Sequence, residues 1–421
     1  MSRLEELIQQ YCPDGLEYKS FFDVCDFVRG ITYNKQQEAR TEVNAHKVLR
    51  ANNITLNFNT LNFDDVKFVV NDVKVKPTQM LYRGDILMCA GSGSKEHIGK
   101  VAYINEDMDY TFGGFMSVVR CKDVLLPRFM FHILTGGLFT QHLEREIKSS
   151  TINNINNQVM QSLFIPVPPL PVQEEIVRIL DTFTELQAEL QAELQKRLQQ
   201  YNYYRDNLLS FEGRADVEWK KINEVVRSLT TGLNPRQTFK LNVDGATCPY
   251  ITGKDIFNNS INPSSKTDKI SFDVIERINK RAKLEDDMLL FASTGTGTVG
   301  RMAYIQKYTN DWSISETLYA IKTKSFLNTR FLMYCLTTEM AISQYRGKIS
   351  KGSVPHLKIA DLMNVVIPIP SVEEQHRVVE LISHFDMLVN DITSGLPAEI
   401  EARRKQYEYY RDQLLTFKKK A

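Results

Sequence analysis

The chain has 421 residues, of which 43% are hydrophobic and 24% charged, and its formal net charge is +1. This composition excludes a disordered chain and is typical of a globular protein with two or three domains. The 6 cysteines show no CxxC pair and no metal-type spacing with the 7 histidines. Because no window reaches about 18 uninterrupted apolar residues and the chain begins without an export signal, we predict a cytoplasmic protein with reduced thiols and no membrane span.

The first half of the chain predicts a short helix at 4–10, a turn at Cys-Pro-Asp-Gly and then a mostly β domain. Short alternating or β-branched runs, separated by Asn, Gly and Asp, indicate its strands. The runs lie at 68–75, 85–90, 100–104 and 116–120. Helical spacing follows at 126–147, and a Pro-rich segment at 165–171 predicts an extended linker.

A long helix is predicted directly after this linker, at 172–210. Its apolar positions alternate at spacings of four and three, which requires a partner helix. These positions are 176, 180, 183, 190, 194, 201, 204 and 208. Such a helix is roughly 58 Å long. Its middle carries Gln-Ala-Glu-Leu in tandem at 187–194, and each copy lengthens the helix by about 6 Å and rotates the remainder of the helix by about 40°. A strong helix-forming filler is the alternative interpretation.

The whole pattern recurs about 202 residues later. Gln173 falls on Gln375, an Ile-Pro-x-Pro segment precedes each long helix, and both helices end in Tyr-Tyr-Arg-Asp, at Asp206 and Asp412. Between the shared landmarks the loops differ almost completely. We therefore predict an α+β protein with a pseudo-twofold internal repeat, in which two similar, mostly β or mixed domains are separated by two long antiparallel helices that form a coiled coil.

The predicted boundaries follow this repeat. They are 1–165 for the first globular domain with its short helix, 166–212 for the central helix, 213–367 for the second globular domain and 368–421 for the C-terminal helical region. Gly395-Leu396-Pro397 predicts a break or kink in the last helix. The net charge is −4 for 172–212 and +7 for 213–367, and a basic domain is a modest indication of binding to phosphate backbone.

Catalytic signatures are weak. Residues 295–300 read G-x-G-x-x-G, but a strand-like run follows them, and the equivalent loop at 91–99 breaks the spacing. We interpret both as hairpin loops and not as dinucleotide sites, which need a helix N-terminus for the pyrophosphate. The sequence contains no P-loop, no HExxH, no G-x-S-x-G and no Asp-Pro-Pro-Tyr type of loop. No catalytic or metal-binding constellation is predicted.

The repeat and its motifs resemble those of a known family. Two variable domains, each followed by a long helix that begins at a Pro-rich segment with a Glu-Gln pair and ends in Tyr-Tyr-Arg-Asp, are similar to the specificity subunit of type I restriction–modification systems. The pair is Glu374-Gln375 in the second copy and is degenerate, as Val172-Gln173, in the first. The tandem Gln-Ala-Glu-Leu run resembles the tetrapeptide repeats of one subclass. The resemblance covers essentially the whole chain.

The resemblance implies a non-catalytic DNA-recognition subunit of a methyltransferase/endonuclease complex. Each globular domain would be a target recognition domain that reads one half of a bipartite, asymmetric double-stranded DNA target. The helices would set the spacer and bind two modification (methyltransferase) subunits, and restriction (motor-nuclease) subunits would join for cleavage. No cofactor is expected on this chain, since S-adenosylmethionine, ATP and magnesium are expected on the partner subunits. A stand-alone DNA-binding regulator and a non-catalytic coiled-coil scaffold are the alternatives.

Candidate DNA contacts come from loops at equivalent positions of the two domains, because a shared scaffold presents such loops on the same side. The loop pairs are 30–35 with 232–236, 50–53 with 252–255, and 91–100 with 293–301. They are rich in residue types that suit base edges and phosphates. The candidates are Tyr33, Lys35, Arg50, Asn52, Lys95 and Lys100 in the first domain and Arg236, Lys254, Thr296 and Arg301 in the second. Ordinary polar loops are the alternative interpretation.

Overall fold

The structure is a computed structural model that describes residues 2–56, 59–93, 95–147, 154–352, 354–390 and 396–420. The chain divides into two compact units. Unit 1 comprises Met1–Glu189 and Glu401–Ala421, and unit 2 comprises Leu190–Ile400. Each unit therefore contains one globular domain together with parts of both long helical regions. The domain boundaries given above stay predictions.

Unit 1 contains a mixture of short strands and helices, and its long helix continues into unit 2. The helices are α1 Arg3–Tyr11, α2 Phe21–Val24, α3 Pro127–Thr135, α4 Gly137–Ile147, α5 Asn157–Gln161 and α6 Leu170–Leu208. The strands are β1 Tyr18–Ser20, β2 Cys25–Arg29, β3 Glu38–Ala39, β4 Ala45–Leu49, β5 Lys67–Val70, β6 Met80–Leu81, β7 Ile86–Cys89, β8 Val101–Tyr103, β9 Met108–Phe112, β10 Met116–Cys121 and β11 Phe164–Pro166.

The second half of the chain repeats most of this order. Its strands are β12 Glu218–Lys221, β13 Val226–Thr231, β14 Cys248–Ile251, β15 Ile256–Phe257, β16 Ser260–Ile261, β17 Lys269–Ile270, β18 Met288–Ala292, β19 Met302–Ile305, β20 Ser313–Ile314, β21 Leu318–Thr323 and β22 Val366–Ile369. Its helices are α7 Ile222–Val225, α8 Pro235–Thr238, α9 Phe272–Ala282, α10 Thr329–Leu336, α11 Glu339–Arg346, α12 Ile359–Met363, α13 Val372–Asn390 and α14 Leu396–Leu414.

The same four-stranded antiparallel sheet forms the centre of both domains. Its strand order is β2-β10-β7-β8 in unit 1 and β13-β21-β18-β19 in unit 2. The strands β7 and β18 are apolar and buried along their whole length, as expected for strands that are covered on both faces. The predicted α+β repeat is therefore confirmed.

A second sheet differs between the two domains. In unit 1 it has five strands in the order β3-β5-β4-β9-β6, whereas in unit 2 it has three, in the order β17-β14-β20. Both contain one parallel pair, β4 with β9 and β14 with β20, and the paired residues in the two units are 202 positions apart. The scaffold is thus retained at the strands that adjoin the predicted loops, while the sheet around them has diverged.

The helix predicted at 172–210 is confirmed as α6, which spans 39 residues without a break and includes both Gln-Ala-Glu-Leu copies. Ile176 and Leu180 are fully buried in the core of unit 1, and Leu194 packs on the core of unit 2. In unit 2, Tyr204 stacks on Phe385 of α13 with ring centroids 5.9 Å apart. Of the predicted break at Gly395-Leu396-Pro397, Leu396 and Pro397 are the first two residues of α14, and Gly395 lies outside the described residues.

A buried glutamine fixes the start of each long helix. In unit 2, Gln375 accepts a hydrogen bond from the backbone N–H of Asn328 (2.8 Å) and donates to the carbonyl oxygens of Phe326 (3.0 Å) and Pro370 (2.9 Å). Gln173 makes the three equivalent bonds in unit 1, to Leu126, Val124 and Pro168. Each side-chain amide thereby pairs with backbone groups that would otherwise lack partners. The degenerate Val172-Gln173 entry therefore keeps the residue that makes these bonds.

The repeated Tyr-Tyr-Arg-Asp motif attaches the end of α14 to the domain of unit 1. Asp412 accepts a hydrogen bond from the backbone N–H of Gly137 (3.0 Å), the first residue of α4, and thereby caps that helix. A Cβ at Gly137 would lie 2.8 Å from Oδ2 of Asp412, so a larger residue here would force this carboxylate to shift. Arg411, which is 9% exposed, bonds the same carboxylate through Nε (3.1 Å).

A buried histidine joins α3 to both helical segments of unit 1. His132 is fully buried, and its Nε2 lies 2.8 Å from Oδ1 of Asp181 while its Nδ1 lies 3.1 Å from the hydroxyl of Tyr407. A neutral ring satisfies both contacts, with Nε2–H donating to Asp181 and Nδ1 accepting from Tyr407. Burial lowers the pKa of His132; the hydrogen bond to Asp181 opposes this shift, and the charges of Arg128 and Arg411 add to it.

This histidine predicts a specific pH dependence. Because its folded-state pKa lies below the value of about 6.5 in unfolded chains, its contribution to stability is complete above that pH and is lost as the pH falls through the folded pKa. Between about pH 7.5 and 5.5 we expect the wild type to lose more free energy of unfolding than His132→Gln does. Chemical denaturation at both pH values measures this difference. His376→Gln, at an exposed position in unit 2, is the control, and equal losses in the wild type and His132→Gln would contradict the assignment.

Candidate nucleic-acid interface

A short segment before β21 connects the three predicted loops of unit 2. Ser315 forms a parallel bridge with Leu233, and its N–H donates to the carbonyl oxygen of Ile251 (2.9 Å). The carbonyl oxygen of Thr317 accepts from the N–H of Ser293 (2.9 Å). The loops 232–236, 252–255 and 293–301 therefore meet around 315–317, which we call the hub segment of unit 2.

The equivalent segment of unit 1, 113–115, has the same backbone contacts. Gly113 bridges Ile31 in parallel and donates to the carbonyl oxygen of Leu49 (3.0 Å), and the carbonyl oxygen of Phe115 accepts from the N–H of Gly91 (2.9 Å). We call 113–115 the hub segment of unit 1. The structure thus brings the predicted loops of each domain together, as the repeat implied.

One glycine in each domain permits this close packing. A Cβ at Gly232 would lie 1.8 Å from the carbonyl oxygen of Ile314, and a Cβ at Gly30 would lie 2.2 Å from that of Phe112. No side chain fits at these distances, so the loops can reach the hub segments only with glycine at these positions. Gly30 and Gly232 lie 202 positions apart, each at the start of the first predicted loop of its domain.

In unit 2 the three loops and the hub segment line one open groove of about 1130 Å³. Its basic side chains are those of Arg236, Lys240, Lys254 and Lys266. The carboxylate of Asp255, in contrast, is engaged by the Thr252 hydroxyl (2.9 Å) and the Thr267 hydroxyl (2.6 Å). The groove is therefore a concave surface with exposed cations, which is the electrostatic character expected of a DNA-binding surface.

Two of the four candidates of the second domain, Arg236 and Lys254, line this groove, whereas Thr296 and Arg301 do not. Arg236 is exposed on α8, where its backbone N–H donates to Asn234 (2.9 Å), and Lys254 is exposed in a turn capped by Thr252. Thr296 is exposed in the hairpin loop between β18 and β19. Arg301 is half-buried, and its Nη1 donates to the carbonyl oxygen of Ile256 (3.2 Å).

The candidates of the first domain are mostly engaged in contacts within unit 1. Arg50 forms an ion pair with Asp65 (2.8 Å), and Asn52 donates to the same carboxylate (2.8 Å). Tyr33 is half-buried against the cluster around Ile31, Val48, Val69 and Val73. Burial raises its pKa, and the charge of Arg50 opposes that shift.

Lysine candidates in unit 1 differ sharply in exposure. Lys35 is exposed at the start of a short turn that Asn34 caps. Lys100 is 8% exposed, its Nζ donates to the carbonyl oxygen of Ile54 (2.7 Å), and burial lowers its pKa. Lys95 begins a short 3-10 turn, and its side chain lies outside the described part of the chain.

Lys100 and Arg301 are equivalent residues that bond equivalent carbonyl oxygens. Ile54 and Ile256 lie 202 positions apart and each follows one of the predicted loops. In this conformation both cations secure a loop from within the domain and do not project from it. Among the candidates whose side chains the structure describes, Arg236, Lys254 and Lys35 have charged groups that are exposed to a ligand.

The interpretation of the G-x-G-x-x-G run as a hairpin loop is confirmed. Strands β18 and β19 are antiparallel neighbours, with Phe291 opposite Met302, and the run at 295–300 connects them. Gly295, Gly297 and Gly300 have positive φ angles of 125°, 72° and 89°, which explains their selection in a tight loop. In unit 1, β7 and β8 form the same hairpin.

Sequence patterns did not reveal the hub segments themselves. They are Gly113-Gly114-Phe115 and Ser315-Glu316-Thr317, which share no residue type and therefore provided no landmark for the repeat. The hub segments could have been located by their position, because each lies immediately before an apolar strand that recurs in both halves. This strand is β10 in unit 1 and β21 in unit 2. Two domains that share a scaffold but bind different ligands are expected to differ in loops of this kind, which lie at a fixed place on the scaffold.

Arg236→Ala tests whether the groove reads DNA. In a complex with its partner subunits, the variant should bind DNA more weakly or accept more bases in one half-site, by about 1 to 3 kcal/mol for a bidentate base contact. Binding assays with targets mutated in either half-site measure the effect. Lys307→Ala, an exposed change in unit 2 outside the groove lining, is the matched control. Loss confined to the other half-site would show that the assignment of the groove is wrong.

The described residues show neither a membrane-spanning helix nor a cluster of metal-binding side chains. Within the described ranges, no helix has the length and hydrophobicity to cross a bilayer. The same residues contain no cluster of three or more His, Cys, Asp or Glu side chains arranged to hold a metal ion.

Comparison with known proteins identifies the family. The family model described as the type I restriction modification DNA specificity domain matches residues 13–200 and again 215–402. The EcoR124I/EcoR124II specificity subunit of a type I restriction enzyme from Escherichia coli is 33% identical over 331 residues, which cover 75% of this chain and 78% of that protein. A putative type I restriction enzyme specificity subunit from Haemophilus influenzae is 29% identical over 356 residues, covering 80% and 84%.

A solved structure shares the fold. A chain from work on complex assembly and conformational transition of the type I restriction–modification system superimposes with a TM-score of 0.57 at 15% identity, covering 96% of this chain and 98% of that chain. Because the family model matches both halves of the repeat, the protein belongs to the type I restriction–modification DNA specificity family and is a non-catalytic DNA-recognition subunit.

Proposed function

We propose that the protein reads a bipartite, asymmetric double-stranded DNA target, with one half-site for each globular domain. The observation that carries this proposal is the pair of hub segments. Both domains bring three loops together around the same backbone contacts, yet the side chains on those loops differ. Two similar readers with different surfaces are suited to two different half-sites, and a target composed of unlike half-sites is asymmetric.

Two modification subunits would dock on this chain, because exposed apolar side chains recur at equivalent positions of its two halves. Tyr203 and Tyr409 are 65% and 62% exposed in the two Tyr-Tyr-Arg-Asp motifs. Val124 with Leu170 in unit 1 corresponds to Phe326 with Val372 in unit 2, and all four side chains are exposed. A surface present twice suits two copies of one partner.

The chemistry would be carried by these partners. In this proposal the modification subunits bind S-adenosylmethionine and methylate adenine, restriction subunits use ATP and magnesium, and this chain binds none of these cofactors. The complex would work in the cytoplasm, where the host DNA is located. A stand-alone regulator would instead recognise its site without partners.

Reconstitution tests the proposal. The purified chain alone should transfer no methyl group from S-adenosylmethionine to DNA, and addition of the modification subunits from the same gene cluster should yield adenine methylation at a gapped motif. Radiolabelled methyl transfer measures both reactions. Methyl transfer by the isolated chain would contradict the proposal. So would sequence-specific DNA binding by the isolated chain whose affinity does not change when the partners are added.

A further inference from the structure

Glu316 occupies the middle of the hub segment of unit 2, in the groove that Arg236, Lys240, Lys254 and Lys266 also line. It is half-buried and lines the groove. Its Oε2 lies 3.1 Å from the hydroxyl of Tyr250, but the same hydroxyl lies 2.7 Å from the carbonyl oxygen of Leu233. A phenol carries one proton, and the shorter contact favours donation to Leu233. The carboxylate of Glu316 is therefore left without a full donor on the side of the hydroxyl.

The other acidic side chains of the groove accept shorter hydrogen bonds within unit 2 than the 3.1 Å contact of Glu316. Asp255 receives hydrogen bonds from two hydroxyls, and Asp268 receives one from Nδ2 of Asn242 (2.7 Å). Among the residues that the structure describes, no lysine or arginine forms an ion pair with Glu316. Glu316 is half-buried on the groove wall, so its remaining acceptor lone pairs are available to a ligand that enters the groove.

A carboxylate at this position would be unfavourable next to bound DNA unless the DNA donated a hydrogen bond to it. Phosphates repel a carboxylate, whereas the exposed amino groups of bases in the major groove, cytosine N4 and adenine N6, donate hydrogen bonds that a carboxylate accepts. A glutamate in a DNA-reading groove is therefore stabilised where a base presents an exocyclic amino group. It disfavours guanine and thymine edges, which present acceptors to it.

We propose that Glu316 determines specificity in one half-site by accepting a hydrogen bond from the exocyclic amino group of a cytosine or adenine. This inference rests on the function proposed above. Tyr250 is a positioning residue, because its hydroxyl is held by Leu233 and limits where the carboxylate can lie. In unit 1 the equivalent position is Gly114, and the neighbouring Phe115 is 70% exposed. The two hub segments therefore present opposite chemistry to DNA.

The test uses the reconstituted complex and a DNA library randomised across both half-sites. Glu316→Ala should lose its preference at one base position by roughly 5- to 150-fold, with every other position of both half-sites unchanged. Glu316→Gln, which keeps one acceptor, should lose less, and it guards against a folding defect in the alanine variant. Phe115→Ala is the matched variant in unit 1 and should change the other half-site alone.

A base analogue then separates a direct contact from an indirect effect. At the affected position, purine in place of adenine, or 2-pyrimidinone in place of cytosine, removes the amino group. Wild-type binding should weaken by the same factor as for Glu316→Ala, and binding by Glu316→Ala should not respond to the analogue. Equal weakening in both proteins, or a uniform loss of affinity without a change of preference, would overturn the inference.

Failure of this inference is distinguishable from failure of the proposed function. A wild-type complex that selects no gapped motif refutes the proposed function. A wild-type complex that selects one, together with a Glu316→Ala complex that selects the same bases with the same preferences, refutes the role of Glu316 alone.

Discussion

Deletion of residues 187–190 is expected to leave both recognised half-sites unchanged while the spacer between them shortens by one or two base pairs. These residues form one Gln-Ala-Glu-Leu copy within the unbroken helix α6, to which both units contribute. Removal of four residues shortens this helix by about 6 Å, compared with about 3.4 Å per base pair. Leu194 can take the place of Leu190 in the apolar seam, so the helix pairing can be restored by a local adjustment. None of the predicted reading loops is touched.

Mapping of methylated bases after expression of the deletion variant with its partners measures the spacer directly. The matched control exchanges Gln187→Glu and Glu189→Gln, which keeps the length of the helix and should keep the spacer. An unchanged spacer in the deletion variant, or altered bases within a half-site, would show that the tetrapeptide run is a helix-forming filler.

Gln375→Leu is expected to reduce the free energy of unfolding of unit 2 by about 3 kcal/mol. The leucine has a similar volume but cannot bond the N–H of Asn328 or the carbonyl oxygens of Phe326 and Pro370, which would lose these partners. Gln173→Leu should have an equally large effect in unit 1, since its three bonds are equivalent. Chemical denaturation measures both variants.

The control for these variants is Gln195→Leu, which makes the same change at an exposed position of α6. A surface substitution of this kind should shift stability by less than about 0.5 kcal/mol. Comparable stability of all three variants would mean that the buried amides are not essential to the helix starts. A large effect of Gln375→Leu with none of Gln173→Leu would contradict their equivalence.

The architecture could be predicted from the sequence because the two halves of the chain encode the same order of elements with different residues. The apolar runs that became β7 and β18, the Pro-rich entries and the seam of α6 all depend on local pattern, and local pattern determines strands and helices where it is strong. The segment 126–147, for which helical spacing was predicted, is in fact two helices, α3 and α4, because Gly136 ends the first and Asp412 caps the second. That cap comes from a residue 275 positions away.

The sequence was sufficient to predict which loops form the candidate site, but not which of their side chains are exposed in it. A lysine in a polar loop is normally exposed, so nothing in the local sequence indicates that Lys100 turns inward to Ile54, 46 residues earlier. The same holds for Arg301 and Ile256. Glu316 carried no signal because its segment differs between the two copies, and its significance depends on Tyr250 and on cations from other loops. Long-range contacts of this kind are determined by the folded chain as a whole.

Recognition of a bipartite DNA target by this chain is tested most sharply by a map of methylated adenines in the host genome, obtained by long-read sequencing with and without this gene. We expect a gapped, asymmetric motif with adenine methylated on both strands, which disappears when the gene is deleted and returns when it is restored. If every methylated motif persists after the gene is deleted, the chain does not specify the methylated sites. If the motif that depends on the gene is ungapped or palindromic, the chain does not read a bipartite, asymmetric target.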